Sequence, residues 1–521
     1  MSASLDGLRA TYDAAPYPLN CYLQSSPGHV AAVARVFGMS TPPVATARVL
    51  ELGCAVGGNL IPFAASNPGA RVVGVDLSVE QINSARRYSQ EVGVSNVTFL
   101  AGDLSELDAA ALGEFDYVIC HGVYSWVPPA VQRAILELTS AVLSPQGVAY
   151  LSYNTFPGWK RRQIIRDAMV QAAAAEESPA DRVRAARAAV ETLRAIAWPG
   201  TSVAVAVEEY LSSGAADYYL LHEYLEVFNN PCYFTELVQS AQQVGLQWLC
   251  EAQPEAMFAP DASTGEQLTE RCGGDRVTFH QLLDFAVDRA YRESLFVRSG
   301  SAAGAFDGRA LADMHLAAWV PPVSGYTALD GSTQSYGVSY KRPLQVTDSV
   351  HKVALDVLNE AWPWTMSEPE LVESVVASLP VAVADPAHSV HALLEMLAIG
   401  GHLRFRLSPV LPDLDSIAQI SEPARRLAVA TGAEPLGCTF NPWQEMVPLG
   451  PFDRLLVPLL DGTQDREQLI EIMTSHARNG VIGVQVDGAA PNDEAALRAV
   501  VERQLDAAPY RLAQLKLLRL Q

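Results

Sequence analysis

The chain has 521 residues, 49% of them hydrophobic, so it is too long for one compact domain and too apolar for a disordered protein. It carries 36 Lys and Arg against 58 Asp and Glu, which gives a net charge of −22. A surface that acidic repels phosphate and anionic lipid headgroups, so we expect no nucleic-acid partner.

The cysteines and the N-terminus indicate the cellular compartment. The seven cysteines are odd in number and include no Cys-x-x-Cys pair, which argues against a disulfide framework and a zinc cage. The first residues, MSASLDGLRA, lack a basic region followed by an apolar one, and no stretch reaches the roughly 18 apolar residues of a membrane span. We expect a cytoplasmic protein with no metal site and no membrane span.

From residue 47 onward, short β-branched runs alternate with helical patterns, which is typical of a parallel sheet covered by helices. The predicted strands are 48–52, 71–76, 97–100, 115–120 and 147–153, separated by helices at about 58–66, 79–92 and 129–143. Residues 160–230 are rich in Ala, Arg and Glu and predict a helical insertion. Further helices at about 233–244 and 278–291, with strands at 246–252 and 294–298, would complete a seven-stranded sheet.

The remaining third of the chain has a different pattern. Residues 299–336 are rich in Gly, Ser, Ala and Pro and predict a linker. Three helical patterns and a short strand pair around residues 402–406 then indicate a winged-helix-like unit, whose third helix, SVHALLEMLAIG, has no Arg or Lys to contact phosphate. Beyond it, helices near 422–431, 465–477 and 493–506 predict an α+β region of unassigned chemistry.

A cofactor site is predicted where the first three strands end. The segment VLELGCAVGGNL contains Glu51, Gly53, Ala55, Gly57 and Asn59, and its small residues allow the backbone to approach a ligand closely. Asp76-Leu77 ends the second strand, where a carboxylate can bind ribose hydroxyls, and Asp103-Leu104 follows the third, suited to an adenine. A dinucleotide would need Gly-x-Gly-x-x-Gly, and Glu51 would repel its pyrophosphate. The same carboxylate suits the cationic groups of S-adenosylmethionine.

These motifs resemble those of the class I, Rossmann-like methyltransferases. The longer strings HGVYSWVPP, SYNTFPGW, HEYLEVFNNPCYF and FHQLLDFAVDRAYRESLFV are similar to bacterial members that carry a methyltransferase regulatory domain, a group that includes rickettsial-type enzymes methylating lysines of outer-membrane proteins. The resemblance implies S-adenosyl-L-methionine as cofactor, an antiparallel seventh strand and, in some members, a protein substrate. It also implies that the segment with Tyr12 and Tyr17 forms a lid over the cofactor.

The fold class is therefore α/β, with a seven-stranded Rossmann-like sheet, a helical middle insertion and a C-terminal winged-helix-like α+β region. The predicted divisions are the methyltransferase core with its lid over 1–159, the insertion over 160–232, the rest of the sheet and regulatory domain over 233–300, the linker over 301–337, the winged-helix-like domain over 338–409 and the α+β region over 410–521.

The acceptor of the methyl group is expected beside the ends of the fourth and fifth strands, because ligands of open α/β sheets bind outside these ends. The candidate catalytic residues there are His121, Tyr124, Trp126, Tyr153 and Asn154. His121 can also contact the cofactor. Tyr124 and Trp126 are equally consistent with core packing, and Asn154 with capping a turn.

Three functions fit these observations. The first is methyl transfer to lysine side chains of a protein, such as a basic or outer-membrane protein; the second is methyl transfer to a small molecule or peptide intermediate. The third is a non-catalytic regulatory module that binds S-adenosylmethionine. A homodimer is left open.

Overall fold

The structure is a computed structural model that describes residues 13, 17–214, 216–302, 304–337, 343–411, 419–483 and 493–518. A seven-stranded sheet forms its first half. Its strands are β1 (Arg48–Leu52), β2 (Arg71–Asp76), β3 (Val97–Ala101), β4 (Phe115–Cys120), β5 (Leu143–Asn154), β6 (Leu246–Glu251) and β7 (Tyr291–Arg298).

The strand order is β3-β2-β1-β4-β5-β7-β6. Neighbouring strands from β3 to β5 run parallel, whereas β7 is antiparallel to both β5 and β6. The predicted seven-stranded Rossmann-like sheet with one antiparallel strand is confirmed. This order reverses direction between β1 and β4, where open α/β sheets form their ligand crevice.

Helices cover both faces of the sheet and form the insertion. They are α1 (Pro27–Val36), α2 (Leu60–Ser66), α3 (Val79–Val92), α4 (Ala109–Leu112), α5 (Pro129–Val142), α6 (Gly158–Ala172), α7 (Pro179–Ile196), α8 (Ser202–Ser213), α9 (Asp217–Tyr219), α10 (Phe234–Gln243), α11 (Ala262–Cys272) and α12 (Arg276–Val287). Capping residues set both ends of α3. The Ser78 side chain accepts a hydrogen bond from the Gln81 N–H, and Gly93 caps the C-terminus at φ 84°.

The predicted helical insertion consists of α6 to α9. Its buried apolar side chains form a cluster separate from the main core, including Ile165, Met169, Val190 and Tyr210. A short π-helix, Leu220–Tyr224, follows α9 and brings the chain back to the sheet. The insertion therefore ends beside the crevice.

The C-terminal part contains small sheets and helices. Its elements are β8 (His315–Ala318), β9 (Gln334–Tyr336), β10 (Leu344–Val346), α13 (Ser349–Ala361), β11 (Met366–Ser367), α14 (Glu368–Ser378), α15 (Pro386–Ile399), β12 (Leu403–Arg406), α16 (Glu422–Ala430), β13 (Cys438–Phe440), β14 (Met446–Pro448), α17 (Pro451–Leu456), α18 (Arg466–Arg478) and α19 (Glu494–Gln514).

Two sequence-based predictions for this part were wrong. The segment predicted as a linker, 301–337, contains β8, the central strand of a three-stranded antiparallel sheet with β11 and β12. Burial of apolar residues such as Leu311, Leu316 and Tyr336 outweighs the local Gly and Pro content. The strand pair predicted around residues 402–406 is the single strand β12, which pairs with β8.

Across the described residues, the helices are too short or too polar for any of them to cross a membrane.

Candidate active site

A cavity of about 520 Å³ opens at the carboxyl ends of β1 to β5. Predicted site residues that line it are Tyr17, Glu51, Gly53, Ala55, Asn59, Asp76, Leu77, Asp103, Leu104, His121, Trp126 and Asn154. Tyr12 lies outside the described residues. The parallel strands thus bring together side chains from five separate turns.

Glu51 is buried at the end of β1 with one carboxylate oxygen unsatisfied. The Asn59 side-chain amide donates to its Oε1 at 2.6 Å, while Oε2 is buried and accepts no hydrogen bond from the described residues. Burial raises the pKa of Glu51 to about 8. A cation placed against Oε2 would stabilise the ionised form of this buried carboxyl group.

The turn after β1 is held against the end of β2. Ala55 has a positive φ of 47°, and its N–H donates to Asp76 Oδ2 at 2.8 Å. The Ser78 N–H donates to Oδ1 at 2.9 Å. Each carboxylate oxygen has a second lone pair, so Asp76 can still accept hydrogen bonds from a bound diol. Gly53, at φ 76°, faces Val123, where a Cβ would lie 2.2 Å from Cγ2.

Asp103, which follows β3, is held in place by Ser105, two residues further along the chain. Its Oδ1 accepts hydrogen bonds from the Ser105 N–H at 2.8 Å and the Ser105 hydroxyl at 2.7 Å. Leu104 is buried beside it. Together they present a carboxylate and an apolar wall, a combination that suits an amine on a flat ring.

His121 follows β4 and contacts both the N-terminal segment and β5. Its ring stacks on Tyr22 at 4.0 Å, and Nδ1 is 2.9 Å from the Tyr150 hydroxyl. Burial lowers the pKa of His121 to about 4, so the imidazole is neutral at physiological pH. The Tyr22 N–H donates to Asn59 Oδ1 at 2.9 Å, which ties the N-terminal segment to the turn that holds Glu51.

Asn154 and Trp126 form part of the wall on the β4 and β5 side. The Asn154 N–H donates to the Ser125 hydroxyl at 2.8 Å, while its side-chain Nδ2 is buried with no acceptor among the described residues. Trp126 packs edge-on against the fully buried Trp159 at 5.9 Å. Asn154 therefore offers a donor to a ligand, and Trp126 a rigid aromatic wall.

Three predicted residues do not line the cavity. Tyr124 and Tyr153 are buried and pack edge to face at 6.4 Å, and the Tyr153 hydroxyl lies 3.3 Å from Ser294 Oγ. Both tyrosines were predicted beside the methyl acceptor, but they pack in the core. Side chains alternate along β5, so Tyr153 points away from the cavity. Gly57 packs against the Phe99 ring and not against the cavity, since a Cβ there would lie 2.7 Å from that ring.

Several lining residues were not predicted. They are Asn20, Tyr22, Gln81, Arg162, Tyr219, Glu223 and Tyr291. Burial raises the pKa of Glu223 to about 8, although Arg162 opposes the rise. The string HEYLEVFNNPCYF contains Glu223, but in the sequence it contributed only to the family resemblance. The π-helix that carries it into the cavity has no sequence signal.

Comparisons with known proteins identify the family. Residues 49–147 match the family model described as a methyltransferase domain, and residues 216–298 match the predicted methyltransferase regulatory domain. The structure of PKMT2 from Rickettsia typhi in complex with AdoHcy is 25% identical and superposes with a TM-score of 0.85, over 96% of this chain and 100% of that one. The chain belongs to the class I S-adenosylmethionine-dependent methyltransferases.

Two curated relatives of this methyltransferase come from Rickettsia prowazekii. The uncharacterized protein RP789 of Rickettsia prowazekii is 37% identical over 54% of this chain and 52% of its own length. The uncharacterized protein RP028 of the same organism is 35% identical over 45% of this chain and 95% of its own length. The chain thus matches about half of the first relative and nearly all of the second.

The winged helix of the methyltransferase lies later in the chain than predicted. Residues 423–517 match the model described as the PKMT C-terminal winged helix domain. This is the α+β region left unassigned, whereas the prediction placed the winged helix at 338–409. Three helices and a short sheet in 338–409 produce the same sequence pattern, so helix spacing alone did not distinguish the two regions.

The residues present fit S-adenosylmethionine. The unsatisfied Glu51 Oε2 suits a cationic ammonium or sulfonium group, and the free lone pairs of Asp76 suit two ribose hydroxyls. Positive φ at Gly53 and Ala55 leaves the backbone between them open to a ligand.

Proposed function

We propose that this methyltransferase transfers methyl groups to lysine side chains of a protein substrate. The proposal rests on the composition of the cavity wall. There the Glu223 carboxylate faces the same space as three tyrosines, Tyr22, Tyr219 and Tyr291. Aromatic faces and a carboxylate together attract an alkylammonium group. The similarity to PKMT2, a name that denotes a protein lysine methyltransferase, supports this substrate class.

Binding of the cofactor is assigned to the turns at the ends of β1 to β4. We propose that Asp76 binds the ribose, Asp103 with Leu104 the adenine, and Glu51 the amino acid end. The remaining contacts are assigned to Tyr17, Gly53, Ala55, Asn59, Leu77 and His121. S-adenosylmethionine supplies a methyl group on a cationic sulfonium when it is bound.

The chain contributes alignment, exclusion of water and removal of a proton. An amine attacks only when neutral, and an apolar, aromatic surrounding lowers its pKa. Trp126 and Tyr22 supply that surrounding, and Asn154 Nδ2 lacks a partner among the described residues and so can orient a polar group of the substrate. His121 is neutral and lies beside the same space, so it is the candidate proton acceptor.

Glu223 should determine affinity for the acceptor and not for the cofactor. We expect Glu223→Gln to raise KM for a lysine-containing substrate about tenfold, the loss of one charge-assisted hydrogen bond. The Kd for S-adenosylhomocysteine, measured by calorimetry, should stay within about twofold. Glu208→Gln, a change at an exposed acid of α8, is the matched control. An equal loss of affinity for both ligands would contradict the assignment.

A labelling experiment separates protein from small-molecule substrates. The purified chain is incubated with methyl-labelled S-adenosylmethionine and a bacterial extract, and label is counted in the protein and small-molecule fractions. Label in a protein band supports the proposal. Label in small molecules alone would instead support a biosynthetic methyltransferase, and cofactor binding with no label in any extract would support a regulatory module.

We further propose a cytoplasmic location, where free thiols persist, because all seven cysteines of the chain are unpaired. The homodimer stays a prediction that a measured molar mass in solution would test.

A further inference from the structure

A row of hydrogen bonds leads from the cofactor cavity through the sheet. His121 follows β4, Tyr150 lies in β5 and Glu293 lies in β7, and these strands are neighbours in the order β4-β5-β7. His121 Nδ1 is 2.9 Å from the Tyr150 hydroxyl, which donates to Glu293 Oε1 at 3.0 Å. Tyr150 and Glu293 are both buried, where the loss of a hydrogen bond costs more than at the surface.

The row ends beside a second cavity. The Gln253 side chain donates to Glu293 Oε2, and the Gln24 side chain also hydrogen-bonds to this carboxylate. Both glutamines line a cavity of about 940 Å³ between the sheet and the C-terminal region. Tyr22, which stacks on His121, lines this cavity as well as the cofactor cavity. The row therefore runs from a residue that lines the cofactor cavity to residues that line the second one.

The directions of these hydrogen bonds fix the protonation of His121. An ionised carboxylate only accepts, so the single hydroxyl proton of Tyr150 belongs to its bond with Glu293. The Tyr150 oxygen must then accept from His121, which places a proton on Nδ1. In a neutral imidazole this leaves Nε2 as a lone pair, the state that a proton acceptor in the cavity requires.

We propose that Tyr150 and Glu293 are positioning residues that hold His121 with Nε2 unprotonated and take up the proton that the acceptor amine loses. This inference rests on the proposed function. The N–H bond of the substrate ammonium breaks, and its proton passes to His121 Nε2 while the amine keeps the electron pair. The Nδ1 proton then moves to Tyr150, whose own proton moves to Glu293 Oε1. The neutral amine then takes the methyl group, an N–C bond forming as the methyl–sulfur bond breaks. Glu293 afterwards returns its proton through Tyr150 to His121 Nδ1, and Nε2 releases its proton to the first cavity, which restores the starting tautomer.

The charges around the row favour this direction of transfer. Burial lowers the pKa of His121 to about 4, so the imidazole passes a proton on and does not retain it. Burial raises the pKa of Glu293, with Gln253, Gln24 and Tyr150 opposing the rise and Glu251 of β6 adding to it. Tyr291 of β7 also faces Glu293, and Glu51 and Glu223 line the cavity of His121. Because its pKa is raised, Glu293 accepts a proton more readily than an ordinary carboxylate does.

The protonation of His121 can be measured without any activity. The full chain is labelled with ¹⁵N in its histidine rings, and the His121 signals are assigned by their loss in His121→Gln. We expect Nδ1 to be protonated and Nε2 unprotonated in the wild type, and this preference to be lost in Tyr150→Phe. Tyr117→Phe is the matched control, because Tyr117 is a buried tyrosine of β4 whose hydroxyl donates to the Pro42 carbonyl at 2.7 Å. A wild-type proton on Nε2, or an unchanged tautomer in Tyr150→Phe, would overturn the proposal.

Kinetics then test whether Glu293 accepts the proton. With poly-L-lysine as acceptor, we expect Glu293→Gln to lower kcat about tenfold or more at neutral pH, part of the roughly 10²- to 10⁴-fold that acid–base catalysis supplies. The rate should recover at high pH, because a neutral amine brings no proton to remove. An equal loss at every pH would indicate a structural role and overturn the relay. If the wild type methylates no lysine, the proposed function fails, while the tautomer measurement still decides the inference.

Discussion

At the scale of single residues, the buried Glu51 carboxyl group couples cofactor binding to the release of a proton. Its pKa of about 8 means that the carboxylate is protonated in the empty protein at neutral pH. A cation against Oε2 favours the ionised form, so binding should release a proton. The same burial makes the free energy of unfolding fall as pH rises from about 4.5 to about 8, because over this range the carboxyl is ionised in the unfolded chain but keeps its proton in the folded one.

Calorimetry in buffers of different ionisation enthalpy checks this release. We expect S-adenosylhomocysteine to bind the wild type at pH 7 with release of up to one proton, and Glu51→Gln to bind more weakly with none. Glu80→Gln, at an exposed position in the first turn of α3, should behave like the wild type. Equal proton release in the wild type and Glu51→Gln would show that the carboxylate does not meet a cation.

Asp76 is the residue on which the ribose assignment depends. We expect Asp76→Ala to lower affinity for S-adenosylhomocysteine at least tenfold, about 1.4 kcal/mol, because it removes the diol acceptor and the partner of the Ala55 and Ser78 N–H groups. Asp108→Ala, which removes the cap of α4, controls for loss of a loop carboxylate. Unchanged affinity would contradict the placement of the ribose.

At the scale of elements, the N-terminal segment is packed on the turn that follows β1. A Cβ at Gly58 would lie 1.9 Å from the Asn20 carbonyl oxygen, and backbone atoms cannot rotate away. We expect Gly58→Ala to cost about 1–3 kcal/mol of unfolding free energy and to weaken cofactor binding, because the segment carrying Tyr22 must move. Gly265→Ala, in α11 with its nearest contact at 3.5 Å, should cost nothing. Thermal unfolding and calorimetry compare the two, and wild-type values for Gly58→Ala would show that the segment is not packed here.

At the scale of the whole molecule, Glu445 joins the C-terminal region to β12. Its carboxylate binds Arg404 at 2.6 Å and Lys516, which follows α19, at 2.5 Å. Burial raises its pKa, but Arg404 and Lys516 outweigh burial and hold the pKa at about 2. Because the folded pKa lies below the ordinary value, the pair stabilises the fold above about pH 4.5, and that stability is lost as pH falls towards 2.

The acid unfolding of a Glu445 variant tests this contact. We expect Glu445→Gln to lose about 2–3 kcal/mol at pH 7 and much less at pH 3, as measured by denaturant unfolding. Glu434 lies near the Arg87 guanidinium at 3.7 Å on a more exposed surface, so Glu434→Gln should lose less than about 1 kcal/mol. Equal losses at both pH values would mean that Glu445 acts through packing alone.

The sequence predicted the parts of this molecule that depend on short local patterns. The strands and the acids at their ends, such as Glu51 and Asp76, follow from alternation and turn residues within a few positions. Tyr22, Glu223 and Tyr291 lie far apart in the chain and meet only in the folded protein, so no local pattern revealed them. The prediction of a linker over 301–337 was wrong for the same reason. The pairing of β8 with β11 and β12 is a long-range contact.

The most direct test of the proposed function is mass spectrometry of a protein that the chain has labelled from methyl-labelled S-adenosylmethionine. We expect methyl groups on lysine Nε atoms, with label from the wild type and none from Asp76→Ala. Label on another side chain, or in small molecules only, would contradict it.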